Sequence, residues 1–222
     1  MIAVLVYIGI AIISYLLGSL NFGIIISNKF KHDDVREHGS GNAGTTNMLR
    51  NYGKVWGALT IIGDMAKVAV AILISIAILR VSNIYDLLVE LFGDNTMIIA
   101  KSFAGFFCVL GHIFPCFFKF KGGKGVAASG GMVFMIDWHI ALILLMFFII
   151  VVFITRYVSL GSLVMAFFYP VLIFLFYHSL PLTVIAVVFA VIVFVSHREN
   201  IKKLIHHTEN RLEIKKETEN GD

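Results

Sequence analysis

Cysteine is nearly absent. Cys108 and Cys116 are the only two, they fall in one apolar segment, and no ligand set with zinc-site spacing surrounds them. A disulfide framework or a zinc site is therefore not expected, and lipid-facing or packing cysteines are the plain reading. Other chemical equipment is missing too. There is no G-x-S-x-G serine or reactive cysteine for a covalent acyl-enzyme, and no D-x-x-D or His-rich constellation for a magnesium or zinc enzyme. The G-x-x-x-x-G-K-[ST] spacing of a nucleotide-binding P-loop is also absent. Asp64 is the one clear intramembrane acid, so no carboxylate pair suits a proton-coupled transporter. Charge is scarce as well, with Asp, Glu, Lys and Arg making up 14% of the 222 residues.

What fills the space is apolar. Hydrophobic residues make up 59% of the chain and Phe alone occurs 20 times, against the roughly 45–50% apolar content of a soluble domain. The expectation is a single all-α integral membrane domain over 1–222. Met1 to Phe22 has no basic segment ahead of it and no clear small-residue cleavage site, so it reads as a retained first span. Further spans are expected at about 56–79, 97–117, 158–177 and 181–196. The run 125–155 is long enough for one span, but "MIDWH" at 135–139 puts a charge in its middle and favours two short spans joined by a turn at Asp137. The expected total is seven, with five or six as the fallback count.

Seven spans place 24–55, 118–124, 155–158 and 197–222 on one side, and those segments carry fifteen of the 18 Lys and Arg residues. By the positive-inside rule that side is the cytoplasm, with the N-terminus outside and the C-terminus inside. A single span at 125–155 would send the basic tail outside. The residues 206–222 read as a polar, solvated and frayed cytoplasmic tail.

Every motif-like polar stretch falls on the basic side. In "FKFKGGKGVAASGG" (118–131), Gly122, Gly123 and Gly125 can expose amide N–H groups, a helix start at about 125 turns its positive end to the loop, and Lys121 and Lys124 add charge. That is an anion site suited to phosphate; the plain alternative is a short cytoplasmic turn. "EHGSGNAGTTNMLRNYG" (37–53) repeats the pattern: Gly39, Gly41 and Gly44 loosen the backbone, Ser40, Asn42, Thr45, Thr46 and Asn47 supply hydroxyls and amides, and Arg50 supplies a fork for an oxyanion. On a helix over 43–51, Arg50 shares a face with Thr46 and Asn47. "RYVSLGS" (156–162) sets Ser159 and Ser162 three apart at a span start, where small residues also serve packing. "VSHRENIKKL" (195–204) puts His197 and Asn200 on one helical face. Elsewhere, Asp64 and Lys67 are expected to pair at i, i+3, and His112 to position the bend at Pro115.

In order and spacing, "GSGNAGTTNMLRNYGK", "GHIFPCFFKFKGGKGVA" and "RYVSLGS" followed by "HRENIKKL" resemble the three signature regions of the bacterial acyl-phosphate glycerol 3-phosphate acyltransferase family (PlsY). The likeness runs from "YLLGSLNFG" at 15–23 to about 212. It departs at "DMAKV" (64–68), where the family often has Gly after the Lys, a matter of helix packing more than of the site. The resemblance implies transfer of a fatty acyl group from acyl phosphate to the 1-hydroxyl of glycerol 3-phosphate at the cytoplasmic face of the cell membrane, the first acylation of phospholipid synthesis. It implies no cofactor, no metal and no nucleic acid; the partners are the two substrates, membrane lipid and the enzyme that makes acyl phosphate. Carried over residue by residue, Ser40, Arg50, Lys124, Ser162, His197 and Asn200 form the functional set. Gly122, Gly123 and Gly125 form the glycerol 3-phosphate loop, with Gly41, Asn42, Thr46 and Lys121 beside them, while Glu199 holds its own motif together. A transporter or binding protein for organic phosphates is the competing class, and alternating access predicts motifs on both sides of the bilayer.

Overall fold

In a bilayer the backbone has no water to bond, so a spanning segment closes its hydrogen bonds within itself as a helix. The computed structural model describes residues 2–212, and among them only helices and turns occur. In chain order these are α1 (Ile2–Gly18), α2 (Phe22–Lys31), α3 (Thr45–Tyr52), α4 (Lys54–Val81), α5 (Ile84–Phe92), α6 (Thr96–Ile113), α7 (Val126–Ile136), α8 (Trp138–Thr155), α9 (Val158–Tyr177), α10 (Leu180–Ser196) and α11 (Arg198–Ile205).

Five stretches are long and apolar enough to cross a membrane: Ile2–Lys31, Lys54–Val81, Ile84–Phe118, Trp138–Thr155 and Val158–Tyr177. Taken as one, α10 and α11, bent by 62°, make a sixth. The break expected inside 125–155 is present at Asp137, whose extended backbone ends α7 and whose carboxylate accepts the His139 and Ile140 N–H groups at the start of α8. The two halves are unequal, however. α8 has 18 residues and is long enough by itself, whereas α7 has 11, a rise of only about 16 Å at 1.5 Å per residue.

Hydrogen bonds sort the helix ends. At the end of α9, Tyr177 donates to Asp137 Oδ2 at 2.6 Å. At its start, Ser159 and Asn200 share one carboxylate oxygen of Glu209, and Asn200 accepts from Lys124 just before α7. Lys124 and Asp137 thus lie at opposite ends of the bundle, and α7 and α8 run antiparallel between them.

Small residues let the central helices meet closely. A Cβ at Gly18 of α1 would overlap the Cys108 carbonyl of α6, and one at Gly111 of α6 would overlap the Tyr15 carbonyl of α1. The buried core draws on α1, α4, α5, α6, α7, α9 and α10, whereas α8 fully buries only Ile140 and Leu144, packs Phe147 against Phe168 of α9 at half burial, and exposes Leu142, Leu145, Met146, Ile149, Ile150, Phe153 and Ile154. A second, smaller cluster of Ile24, Ile26, Val35, Ala43 and Met48 supports the polar connector between α2 and α4.

Candidate active site

The glycine loop leaves α6 through a 3₁₀ turn, Cys116–Phe118, and doubles back. Gly122 N–H donates to Ile113 O and Gly123 N–H to His112 O, both at 3.2 Å. This corrects one expectation: the Gly122 and Gly123 amides are not free for a ligand. The last carbonyls of a helix lack intrahelical partners, and the loop fills that vacancy at the end of α6. Gly125 differs. With φ +81° it caps α7 without any side-chain hydrogen bond, so the first-turn amides of α7 stay available to an anion.

Lys124, between these glycines, donates to Asn200 Oδ1 on α11. The Asn200 amide nitrogen then donates to Glu209 Oε1 at 2.9 Å, and Ser159 Oγ donates to the same oxygen at 3.1 Å. Ser196 Oγ bonds the Lys124 carbonyl at 3.3 Å. Burial pushes the Lys124 ammonium below the ordinary lysine pKa; Lys203 and Arg50 push the same way, and Glu209 opposes them.

His197, 1% exposed, marks the bend between α10 and α11. Its Nδ1 lies 2.8 Å from Val193 O. A carbonyl only accepts, so in the neutral ring Nδ1 carries the proton and Nε2 keeps the lone pair.

Arg50, exposed on α3, donates to the carbonyls of Arg211 at 3.3 Å and Asn210 at 3.5 Å. Leu212 N–H reaches Arg156 O at 2.7 Å. Residues 206–212, expected in a frayed tail, are therefore tied back over the site through Glu209 to Leu212; 213–222 lie outside the described residues. Arg36 links the two loops, donating to Phe118 O at 3.1 Å and Lys121 O at 3.0 Å.

Other candidates stand apart. Ser40 is exposed and its N–H is held by Asn47 Oδ1 at 3.0 Å. Asn47 also donates to Val35 O and His38 O, so it organises the connector from inside rather than sharing an outer face with Arg50. Among the described residues no hydrogen bond joins Ser40, Gly41, Asn42 or Thr46 to Lys124. Ser162 Oγ bonds Val158 O of its own helix at 3.0 Å, and it is Ser159 that reaches the Lys124 network. Glu209 and Arg36 were the residues sequence reasoning missed as parts of this cluster. Glu209 lies past the end of α11, where helical periodicity gives no signal, and Arg36 counted only toward the charge balance.

A family model described as "Glycerol-3-phosphate acyltransferase" matches residues 8–207. The chain belongs to the glycerol-3-phosphate acyltransferase family. A relative of that name from Clostridioides difficile (strain 630) is 38% identical over 212 residues, covering 95% of this chain and 98% of its own. One from Coxiella burnetii (strain CbuG_Q212) is 42% identical over 155 residues, covering 70% and 72%. The crystal structure of PlsY (YgiH), an integral membrane glycerol 3-phosphate acyltransferase in its glycerol 3-phosphate form, superposes with a TM-score of 0.78 at 34% identity, over 93% of this chain and 96% of that one. A second structure of PlsY, in a lysophosphatidic acid form, gives 0.76 at 33% identity. With these relatives and its apolar helices, this glycerol-3-phosphate acyltransferase family member is a multi-pass integral membrane protein.

Proposed function

We propose that this protein transfers a fatty acyl group from acyl phosphate to the 1-hydroxyl of glycerol 3-phosphate, releasing 1-acyl-glycerol 3-phosphate (lysophosphatidic acid) and inorganic phosphate. The observation that carries the reading is the meeting of Lys124, the uncapped start of α7, Asn200 and His197 at one end of the bundle, with Arg50 nearby on the tail. Both substrates bring phosphate groups, and charge-assisted bonds from ammonium, guanidinium and helix-start amides are what bring two anions together. Ser40, Gly41, Asn42 and Thr46 would face the second anion from the connector side and Lys121 from the glycine loop.

The hydroxyl oxygen of glycerol 3-phosphate attacks the acyl carbonyl carbon, a new C–O ester bond forms, and the carbonyl–phosphate bond breaks with phosphate as leaving group. The hydroxyl proton passes to a base, for which the lone pair on His197 Nε2 and a substrate phosphate oxygen are the two candidates. A mixed anhydride already carries a good leaving group, so positioning and charge neutralisation are the main requirements, each contributing several kcal/mol at best geometry. An open apolar groove of about 550 Å³ between α9 and α10, lined by Phe167, Val171, Val187, Val191 and Val195, ends one residue before Ser196 and suits the acyl chain.

The charge asymmetry supports a cytoplasmic site with the N-terminus outside, the arrangement in which the chain reverses at Asp137 and α8 returns it to the side of Lys124. Donor choice tests the proposal. Purified protein should turn over acyl phosphate and leave acyl-CoA and acyl carrier protein unused; robust turnover of acyl-CoA would refute the donor assignment.

A further inference from the structure

We propose that His112 is a positioning residue that holds the glycine loop, and with it Lys124, in register, its ring fixed by Asp64 and Lys67. The inference rests on the reading of Lys124 as a phosphate ligand. All three residues are buried within α4 and α6, at 0% exposure for Asp64, 5% for Lys67 and 2% for His112. Lys67 Nζ lies 2.9 Å from Asp64 Oδ1, from Gly18 O and from Leu20 O. The three N–H groups of the ammonium go to Gly18 O, Leu20 O and His112 Nδ1, while Asp64 balances its charge. An ammonium only donates, so His112 Nδ1 accepts from Lys67 Nζ at 3.0 Å and the neutral ring carries its proton on Nε2, with Asp64 Oδ1 3.3 Å from Nδ1.

The other side of His112 faces the loop. Its carbonyl accepts Gly123 N–H at 3.2 Å and Asn21 Nδ2 at 3.5 Å. A Cβ at Gly123 would overlap His112 Nε2, and one at Gly122 would overlap the His112 carbonyl. The next residue is Lys124, held from its far side by Ser196. Ring and carbonyl of one histidine thus seat two consecutive glycines directly ahead of the loop's cationic side chain.

Ionisable groups inside a membrane helix are expensive, and an apolar replacement of a buried ion pair is often neutral or stabilising for folding alone. Asp64 Oδ2 even remains buried without a hydrogen-bond partner. Fixing the histidine gives this cost a purpose.

A double-mutant cycle on glycerol 3-phosphate affinity tests the proposal, with the dissociation constant and Tm measured for wild type, His112→Ala, Lys124→Ala and the double variant in detergent. Each single change is expected to weaken binding about tenfold or more, and the double variant to bind no worse than Lys124→Ala, because the histidine acts through the lysine. Additive losses, or unchanged affinity in a folded His112→Ala, would overturn it. Should His112→Ala not fold, His112→Gln keeps an acceptor for Lys67 but removes the ring edge from Gly123; weakened binding is again expected, and wild-type affinity would contradict the role. Wild type that binds glycerol 3-phosphate yet fails to consume acyl phosphate would refute the proposed reaction, while the coupling measured between His112 and Lys124 would still decide the positioning role. Wild type that does not bind glycerol 3-phosphate at all would refute both.

Discussion

Lys124 and Asn200 are 76 positions apart in the chain, yet the lysine ammonium donates to the asparagine side-chain oxygen. The same amide group donates from its nitrogen to Glu209 at 2.9 Å. A loop between α6 and α7, the start of α11 and the returning tail therefore converge on one side chain.

Removing that ammonium should cost about 1.5–3 kcal/mol, the worth of a hydrogen bond to a charged group. Lys124→Ala is thus expected to lose roughly 10- to 150-fold in kcat/KM with Tm little changed. Normal kinetics in a well-folded variant would reduce the loop to a mere turn.

The same residue predicts a pH dependence. Burial lowers the Lys124 pKa, and phosphate binding needs the charged form. Affinity is therefore present below the lowered pKa and lost as pH rises through it, so the Michaelis constant for glycerol 3-phosphate should climb before an ordinary lysine at about 10.4 would titrate. Lys124→Arg, always charged, should flatten that climb in a plot of KM against pH; an unaltered rise would assign it to another group.

Glu209 supplies one oxygen to two buried donors, Ser159 and Asn200. Glu209→Ala leaves both unsatisfied at a cost of about 1–3 kcal/mol, read as a lower Tm in detergent. Glu209→Gln retains an acceptor and should recover most of the loss; equal losses in the two variants would show that charge, not the shared oxygen, matters.

How much of this was legible in the sequence depends on what kind of signal each feature carries. α4, α6, α9 and α10 lie within a few residues of their hydropathy-based limits because lipid contact acts on every residue of a span. The break at Asp137 was readable because a carboxylate in an apolar run must be capping or pairing, and it caps α8. The Asp64–Lys67 pair followed from i, i+3 spacing and forms at 2.9 Å. The roles of the glycine amides were not readable, because composition cannot tell that the final carbonyls of α6 lie within reach of Gly122 and Gly123. Glu209 was hidden for a similar reason: its place over Ser159 comes from the fold of the tail, not from any period.

Charge neutralisation assigned to Lys124, Arg50 and the α7 amides leaves no task for a divalent ion. Activity is expected to survive EDTA; loss that magnesium restores would show that an ion carries part of that charge.

The central claim is tested most directly by supplying purified protein with acyl phosphate and measuring inorganic phosphate release with and without glycerol 3-phosphate. Release is expected to require glycerol 3-phosphate and to match the 1-acyl-glycerol 3-phosphate formed, one for one. Release that proceeds equally without glycerol 3-phosphate, or none with both substrates present, would contradict the acyl transfer proposed for this protein.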